Sequence, residues 1–292
     1  MAQQVPVDAA AVVAQVQDDG TLQAAPDIAY LRLTLVNVVF VGRPGQRDWV
    51  LIDAGLPGSE DRIVRAAAER FGPDVPPRAI VMTHGHFDHV GVLETLAARW
   101  DVPVYAHALE RPYLDGSAAY PPPDPSVGGG MLAWLSPLYP RSPVNVGGRL
   151  RDLPKDGSIP VLPDWRWIHT PGHAVGHISF WREADRALIV GDAFVTTAQE
   201  SAYAVAVQAP EIHGPPMYFT HDWDAAGQSV AALAALEPEL VVTGHGRALH
   251  GPAMRQALHV LARDFRQIAL PHGGRYALHP VQAEDGSAYR AP

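Results

Sequence analysis

Apolar runs rich in β-branched residues alternate with amphipathic stretches along the first part of the chain. Such runs predict strands, and apolar residues recurring three or four positions apart predict helices. The predicted strands lie within residues 28–41, 49–53, 78–83 and 102–106, and the predicted helices span residues 59–71 and 92–99. Ser59 is expected to cap the first of these helices. This alternation of strand and helix indicates an α/β domain.

The regular pattern is interrupted between about residues 110 and 160. The segments PPPDPSVGGG and MLAWLSPLYPRSP in this stretch combine many Pro and Gly residues with Trp and Tyr. Residues of this kind mark turns and loops rather than helices or strands. We therefore predict an insertion or lid here, because long structureless connections are uncommon unless they have a role.

A regular pattern returns after residue 160. The predicted strands are residues 165–169, 177–181, 187–190 and 240–243, and the predicted helices are residues 222–236, capped by Asp222, and 252–268. No stretch between these elements has the composition of a linker between domains. The sequence therefore predicts a single domain over residues 1–292, with the insertion or lid inside it.

Composition excludes several classes of function. The chain of 292 residues carries 31 acidic and 22 basic residues, a formal net charge of −9, and no run of Lys or Arg. We therefore expect no nucleic-acid partner. The N-terminal residues lack a basic start followed by an apolar core, and no apolar run reaches the roughly 18 residues of a membrane span. No membrane association and a cytoplasmic location are the corresponding expectations.

The strongest chemical signal is the sequence THGHFDH, directly after the apolar strand predicted at residues 78–83. It places four side chains that bind metals well, His84, His86, Asp88 and His89, within six residues. Because the chain has no cysteine, a metal site here must use imidazole and carboxylate groups. The alternative is a polar surface loop that contains histidines by chance.

Three further side chains strengthen the metal interpretation, each at the end of a predicted strand. His173 lies in HTPGHAVGH, Asp192 in LIVGDA and His245 in VVTGHG. Each has a glycine beside it, and glycine lets the backbone approach a metal site closely because it has no Cβ. We expect these side chains to join the cluster near His86.

Together with LIDAG at Asp53, these motifs resemble the metallo-β-lactamase superfamily, in particular its glyoxalase II and lactonase-like hydrolases, over roughly residues 28–268. The resemblance implies an α/β fold (α+β in some schemes), a four-layer αβ/βα sandwich. It also implies two divalent metal ions, preferably Zn²⁺, with Fe or Mn as alternatives. In the resemblance, one ion is held by His84, His86 and His173, the other by Asp88, His89 and His245, and Asp192 bridges both.

The reaction that the resemblance implies is hydrolysis of an ester, lactone or thioester by a hydroxide that bridges the two ions. Asp88 is also expected to act as a catalytic residue that carries a proton to the leaving group. Three alternatives remain open: a phosphodiesterase with the same site, an iron oxidoreductase like the persulfide dioxygenases, and a metal-binding protein without turnover. Because Asp192 is present and cysteine is absent, β-lactam hydrolysis is disfavoured.

Several other residues have two interpretations. Asp53 either orients a ligand histidine or caps the following turn. A second group consists of Trp134, Leu135, Leu138 and Tyr139. These side chains either line an apolar acyl-binding cleft or fix the long loop in place. Residues 131–138 are also compatible with a short helix and with contacts in a homo-oligomer.

Departures from the relatives bear on the substrate. Lactonases of this family carry a tyrosine three residues after the bridging aspartate, where this chain has Val195, and Tyr203 is one replacement for that phenol. Only 47 residues follow His245, which disfavours the glutathione-binding helical domain of glyoxalase II. Nine histidines are expected to be structural or surface residues rather than ligands: His107, His169, His177, His213, His221, His250, His259, His272 and His279.

Overall fold

The structure, a computed structural model, describes residues 4–13 and 15–292. Residues 1–3 and 14, part of the N-terminal stretch in which no targeting segment is predicted, lie outside the described residues. The strands are β1 Val5–Pro6, β2 Gln15–Val16, β3 Leu22–Ala25, β4 Ile28–Arg32, β5 Asn37–Val41, β6 Val50–Ile52, β7 Ile80–Val81, β8 Val104–Ala106, β9 Leu150–Asp152, β10 Arg166–His169, β11 Ile178–Arg182, β12 Ala187–Gly191, β13 Glu211–Ile212, β14 Leu240–Thr243 and β15 Leu249–His250. The helices are α1 Glu60–Phe71, α2 Leu93–Trp100, α3 Arg111–Leu114, α4 Met131–Leu135, α5 Ala202–Val207, α6 Trp223–Ala234, α7 Gly251–Arg263, α8 Phe265–Ile268 and α9 Arg275–Leu278.

Most strands of the described chain belong to two sheets. The first sheet has eight strands in the order β2-β3-β4-β5-β6-β7-β8-β9, and the second has five in the order β10-β11-β12-β14-β15. Strands β6 to β9 pair in parallel, as do β12 and β14. The short strands β1 and β13 form a separate antiparallel pair.

The two sheets pack face to face, with helices on both outer faces. Along β5, Phe40 lies in a core with Ile63 of α1 and Leu96 of α2. Val39, its neighbour on the opposite face of the strand, lies in a core with Phe180 of the second sheet. This alternation follows from the two-residue period of a strand and explains why β5 is apolar on both faces.

The outer face of the second sheet is covered in the same way. Leu188 of β12 packs in a third core with Val230 of α6 and Leu258 of α7. The layers are therefore helix, sheet, sheet and helix, which confirms the predicted αβ/βα sandwich.

Some predicted elements differ in detail from the structure. Residues 28–41 form two strands rather than one, joined where Leu33 N donates to Val36 O at 2.9 Å. The sequence shows a single apolar run because β4 and β5 are both buried. The helix predicted over 252–268 is interrupted at Asp264, whose ψ of 24° is not helical.

Strand β9 and strands β1 to β3 lack a hydrophobic signal. Two of the three residues of β9 are exposed although the strand closes one edge of the first sheet, within the stretch predicted as an insertion or lid. Strands β1 and β2 have two residues each, and no residue of β1, β2 or β3 is buried. An edge strand of this kind contributes backbone hydrogen bonds but little apolar surface.

The two predicted helix caps have different outcomes. The side chain of Asp222 accepts a hydrogen bond from Ala225 N at 2.9 Å, which confirms it as the cap of α6. Ser59 precedes α1 as predicted, but its hydroxyl donates to Leu56 O at 2.6 Å and does not cap the helix. In the described part of the chain, no helix combines the length and the hydropathy needed to cross a bilayer.

Candidate metal centre

The four segments that carry the predicted metal-binding residues end at one edge of the sandwich. His84 follows β7, Asp192 follows β12 and His245 follows β14. Strands β12 and β14 are parallel, and β10, which precedes His173, runs in the same direction as β12 because both pair antiparallel with β11. The ends of parallel strands meet at the same edge of a sheet, where ligand sites of α/β proteins form.

All seven predicted residues meet at this edge. They form three overlapping groups, and within each group one nitrogen or oxygen atom of every member lies within 4.8 Å of the others. The groups are His84, His86 and His173; His84, His89 and Asp192; and Asp88, His89 and His245. The structure therefore brings together side chains that are up to 161 positions apart, from His84 to His245.

Asp192 lies between the first and third groups. Its Oδ2 atom is 2.9 Å from His245 Nε2 and 3.5 Å from the Nε2 atoms of both His89 and His173. Two donors bound to one tetrahedral zinc ion at its usual bond lengths lie roughly 3.3 Å apart. The spacing around Asp192 therefore suits metal ligands.

Unpartnered polar atoms provide a second test of the fit. The Nε2 atoms of His84 and His89 and the Oδ1 atom of Asp192 are buried and make no hydrogen bond within the described residues. Leaving such atoms without a partner is costly, and bound cations are one way to satisfy them. A Cβ at Gly244 would lie 2.0 Å from Asp192 Oδ1, so the glycine beside His245 is needed for this close approach.

The electrostatics of the site favour neutral imidazoles in the first group. Burial holds the pKa of His84, His86 and His173 well below the usual value, so their nitrogen lone pairs are free. Burial alone would raise the pKa of Asp192, but nearby His245 and His89 hold it well below its usual value. Asp192 is therefore ionised, as a carboxylate that binds a cation must be.

Asp53 orients two histidines of the site and does not merely cap a turn. Its Oδ2 atom accepts a hydrogen bond from His89 Nδ1 at 2.8 Å and from Thr83 Oγ1 at 2.7 Å. Since the Thr83 hydroxyl donates to Asp53, it accepts from Nδ1 of His84 at 3.0 Å. Both histidines therefore direct Nε2 away from these partners, which fixes the tautomer needed for metal binding.

Two further supports were not recognised from the sequence. The His245 Nδ1 atom donates to the carbonyl of Leu35, in the turn between β4 and β5. His177 Nε2 accepts from Asp192 N at 2.8 Å, and burial lowers the pKa of this imidazole to about 3. His177 lies outside the three groups and holds the backbone of Asp192. A backbone carbonyl leaves no mark in a sequence, and the motif HTPGHAVGH, which ends at His177, does not indicate that this side chain contacts Asp192.

Aromatic residues border the site beside Asp88. Phe219 stacks on His86 with ring centroids 4.7 Å apart, and Phe87 packs against Tyr139 at 5.1 Å. The members of the group predicted at residues 134–139 differ in their surroundings. Trp134 is 73% exposed and Leu138 is 79% exposed, whereas Tyr139 packs against Phe87. A short helix is confirmed in α4, followed by a 3₁₀ turn at Ser136–Leu138.

Tyr203 and Tyr218 differ in their burial and in their relation to Asp88. Tyr203 is 77% exposed on α5. Tyr218 is buried, and burial, followed by the charge of Asp88, raises its pKa well above the usual value. Its distance in sequence from the metal-binding motifs explains why the residue pattern did not single it out.

Comparison with known proteins places these motifs in a family. The family model described as the metallo-beta-lactamase superfamily matches residues 31–245. The chain is 44% identical over 254 residues to the "Probable metallo-hydrolase YflN" of Bacillus subtilis (strain 168), which covers 87% of this chain and 96% of that protein. It is 28% identical over 199 residues to "Probable metallo-hydrolase YybB" of the same organism, and this match covers 68% of this chain and 76% of that protein.

Solved structures of low sequence identity share the fold. A B3 metallo-beta-lactamase with an active-site glutamic acid has a TM-score of 0.60 at 17% identity, covering 91% of this chain and 96% of that chain. TTHA1623 in a di-iron-bound form has a TM-score of 0.50 at 24% identity, and the match covers 80% of this chain and 96% of that chain. Since the family model spans the sequence from β4 to His245, the chain belongs to the metallo-beta-lactamase superfamily.

Proposed function

We propose that this protein is a metal-dependent hydrolase that cleaves a small-molecule ester, lactone or thioester. The observation that carries the proposal is the position of Asp192 Oδ2, which lies within 3.5 Å of a histidine of the first group and of two histidines of the third group. A carboxylate at this position would bridge two divalent ions, one at His84, His86 and His173 and the other at Asp88, His89 and His245. The similarity to the metallo-hydrolase YflN supports the reaction type.

Two bound ions would activate a water molecule by lowering its pKa from 15.7 toward about 7 and would polarise the carbonyl of the substrate. Imidazole and carboxylate donors suit zinc and also accept iron or manganese. Asp88 is 8% exposed, more than any other of the seven residues. We assign to Asp88 both ligation and proton transfer to the leaving group, because it is the most exposed of the seven side chains.

The surroundings of the site favour a substrate with an apolar part. Phe87, Tyr139 and Phe219 form an aromatic wall next to Asp88 and His86. Apolar walls with a few polar groups are typical of small-molecule sites. Tyr218 packs against Phe219 of this wall, with ring centroids 5.1 Å apart. Burial and nearby carboxylates raise its pKa, so we assign its protonated hydroxyl as a hydrogen-bond donor to a substrate oxygen.

The test combines metal content with substrate class. Metal-free protein is loaded with zinc, manganese or iron and assayed on p-nitrophenyl esters, lactones, thioesters and bis-p-nitrophenyl phosphate. We expect two ions per chain and hydrolysis of at least one carboxylic ester, lactone or thioester. Asp192→Ala should lose metal and activity together, because it removes the carboxylate shared by both groups.

His259→Ala is the matched control, since His259 is an exposed histidine that pairs with Glu237 and should leave metal content and activity unchanged. Turnover of the phosphodiester alone would replace the proposal with a phosphodiesterase. One iron per chain with oxygen uptake would indicate a persulfide dioxygenase-like enzyme. Two bound ions without turnover of any compound would indicate a metal-binding protein that is not an enzyme.

A further inference from the structure

Glu110 is a fully buried carboxylate that the metal-binding motifs do not include. It lies between β8 and α3 and has no exposed surface. Its Oε2 atom accepts from Gly85 N at 2.9 Å, its Oε1 atom accepts from Gly176 N at 2.8 Å, and Tyr120 Oη donates to it as well. Among the described residues no ion pair involves Glu110, so these hydrogen bonds alone compensate its burial.

The two backbone donors belong to the two loops that carry the first group of metal-binding histidines. Gly85 lies between His84 and His86, in the loop after β7 of the first sheet. Gly176 lies three residues after His173, in the loop after β10 of the second sheet. One carboxylate thus connects the loops of two separate sheets. The two loops bring His86 Nδ1 to within 2.9 Å of His173 Nε2.

Tyr120 extends this connection to an imidazole ring. Its hydroxyl accepts from Gly85 N at 2.9 Å while it donates to Glu110. Its ring packs against His86 with centroids 4.3 Å apart and stacks on Tyr113 with centroids 3.7 Å apart. The ring of His86 therefore contacts both Tyr120 and Phe219.

The geometry requires glycine at position 176 and leaves little room for a side chain at position 85. A Cβ at Gly176 would lie 2.8 Å from both Cγ and Oε1 of Glu110 and 2.9 Å from its backbone nitrogen. A Cβ at Gly85 would lie 3.2 Å from the Tyr120 hydroxyl. The carboxylate reaches the two N–H groups because neither loop carries a side chain there.

We propose that Glu110 is a positioning residue that sets the spacing between His86 and His173 for one metal ion. This inference rests on the proposed metal site. The hydrogen bonds of Glu110 lie at Gly85 and Gly176, beside the histidines of the first group. Its loss should therefore weaken most the ion at His84, His86 and His173. The ion at Asp88, His89 and His245 should be affected less, because Asp88 and His89 lie further along the loop from Gly85.

The test is Glu110→Gln, which keeps the shape of the side chain. The amide has one oxygen, so its NH₂ group must face the N–H of either Gly85 or Gly176. We expect one of the two zinc-binding steps to weaken roughly tenfold to hundredfold, as is typical when a partner of a ligand-bearing element is lost. Zinc titration against a chromophoric chelator measures both steps, and the absorption spectrum of the cobalt-loaded protein reports the altered geometry.

Tyr120→Phe should weaken the same step by a smaller factor. The matched control is Tyr113→Phe, since Tyr113 is an equally buried tyrosine whose hydroxyl donates to Ala288 O at 2.9 Å and does not contact Glu110. Should Glu110→Gln not fold, the comparison of Tyr120→Phe with Tyr113→Phe decides the question. Equal zinc affinities of the two tyrosine variants would overturn the positioning role. So would a Glu110→Gln variant in which both zinc-binding steps are unchanged or are weakened equally. Fewer than two zinc ions on the unaltered chain would instead contradict the proposed function.

Discussion

Asp53 is a side chain outside the three groups that positions a histidine of the candidate metal centre. Its carboxylate accepts from the backbone and hydroxyl of Thr83 and from His89 Nδ1. These bonds keep Nε2 of His89 directed toward Asp192, 3.5 Å away. The negative charge of Asp53 also makes the imidazole a stronger electron donor to a metal.

Asp53→Asn should therefore weaken metal binding about tenfold to hundredfold at the ion near His89. The asparagine keeps the shape of the side chain but loses its charge, and its NH₂ group must face either Thr83 or His89. Competition with a chelator measures the change. Asp48→Asn is the control, because Asp48 is an exposed aspartate that pairs with Arg78, and it should bind metal normally. Equal affinities for the two variants would show that Asp53 does not act on the site.

At the scale of elements, helix α6 supports the loop that carries His173. The backbone carbonyl of Gly172 accepts from both His221 N and Asp222 N at 2.9 Å. Gly172 also approaches the start of α6 so closely that a Cβ there would lie 2.3 Å from Ala226 N. The start of α6 and the position of His173 are thus fixed by the same contacts.

Asp222→Ala should lower the free energy of unfolding by about 1 kcal/mol, because the cap of α6 loses its hydrogen bond to Ala225 N. Urea denaturation of the metal-free protein measures this change. Asp224→Ala removes an exposed aspartate from the first turn of the same helix and should change stability by less than about 0.5 kcal/mol. Similar losses in both variants would mean that the Asp222 side chain contributes nothing as a cap.

Elements with a strong apolar pattern could be predicted from the sequence, and elements held by backbone contacts could not. Strands β6, β8, β12 and β14 and helix α6 lie where the sequence predicts them because each buries apolar residues in a core. Strand β9 was missed, since two of its three residues are exposed. The residues that the structure brings together at the candidate metal centre could be selected from the sequence because they cluster in short motifs that contain glycine.

The supports of the site are harder to predict. Leu35 acts through its carbonyl, and Glu110 acts through contacts with residues 25 and 66 positions away. Neither relation has a periodic or local pattern that a sequence reveals. Asp53 could be proposed because it lies in a motif, although only the structure distinguished its contact with His89 from a turn cap.

At the scale of the whole molecule, the candidate centre joins the two halves of the sandwich. His84, His86, Asp88 and His89 follow a strand of the first sheet, whereas His173, Asp192 and His245 follow strands of the second. The first group and the third group each contain residues from both halves. Any movement of one sheet against the other would therefore disturb both groups at once.

The most direct test of the account is anomalous diffraction from crystals of the zinc-loaded protein, measured at the zinc absorption edge. The account predicts two peaks about 3.5–4 Å apart. One should contact His84, His86 and His173, the other should contact Asp88, His89 and His245, and Asp192 should contact both. A single peak, or two peaks of which Asp192 contacts at most one, would contradict the central claim.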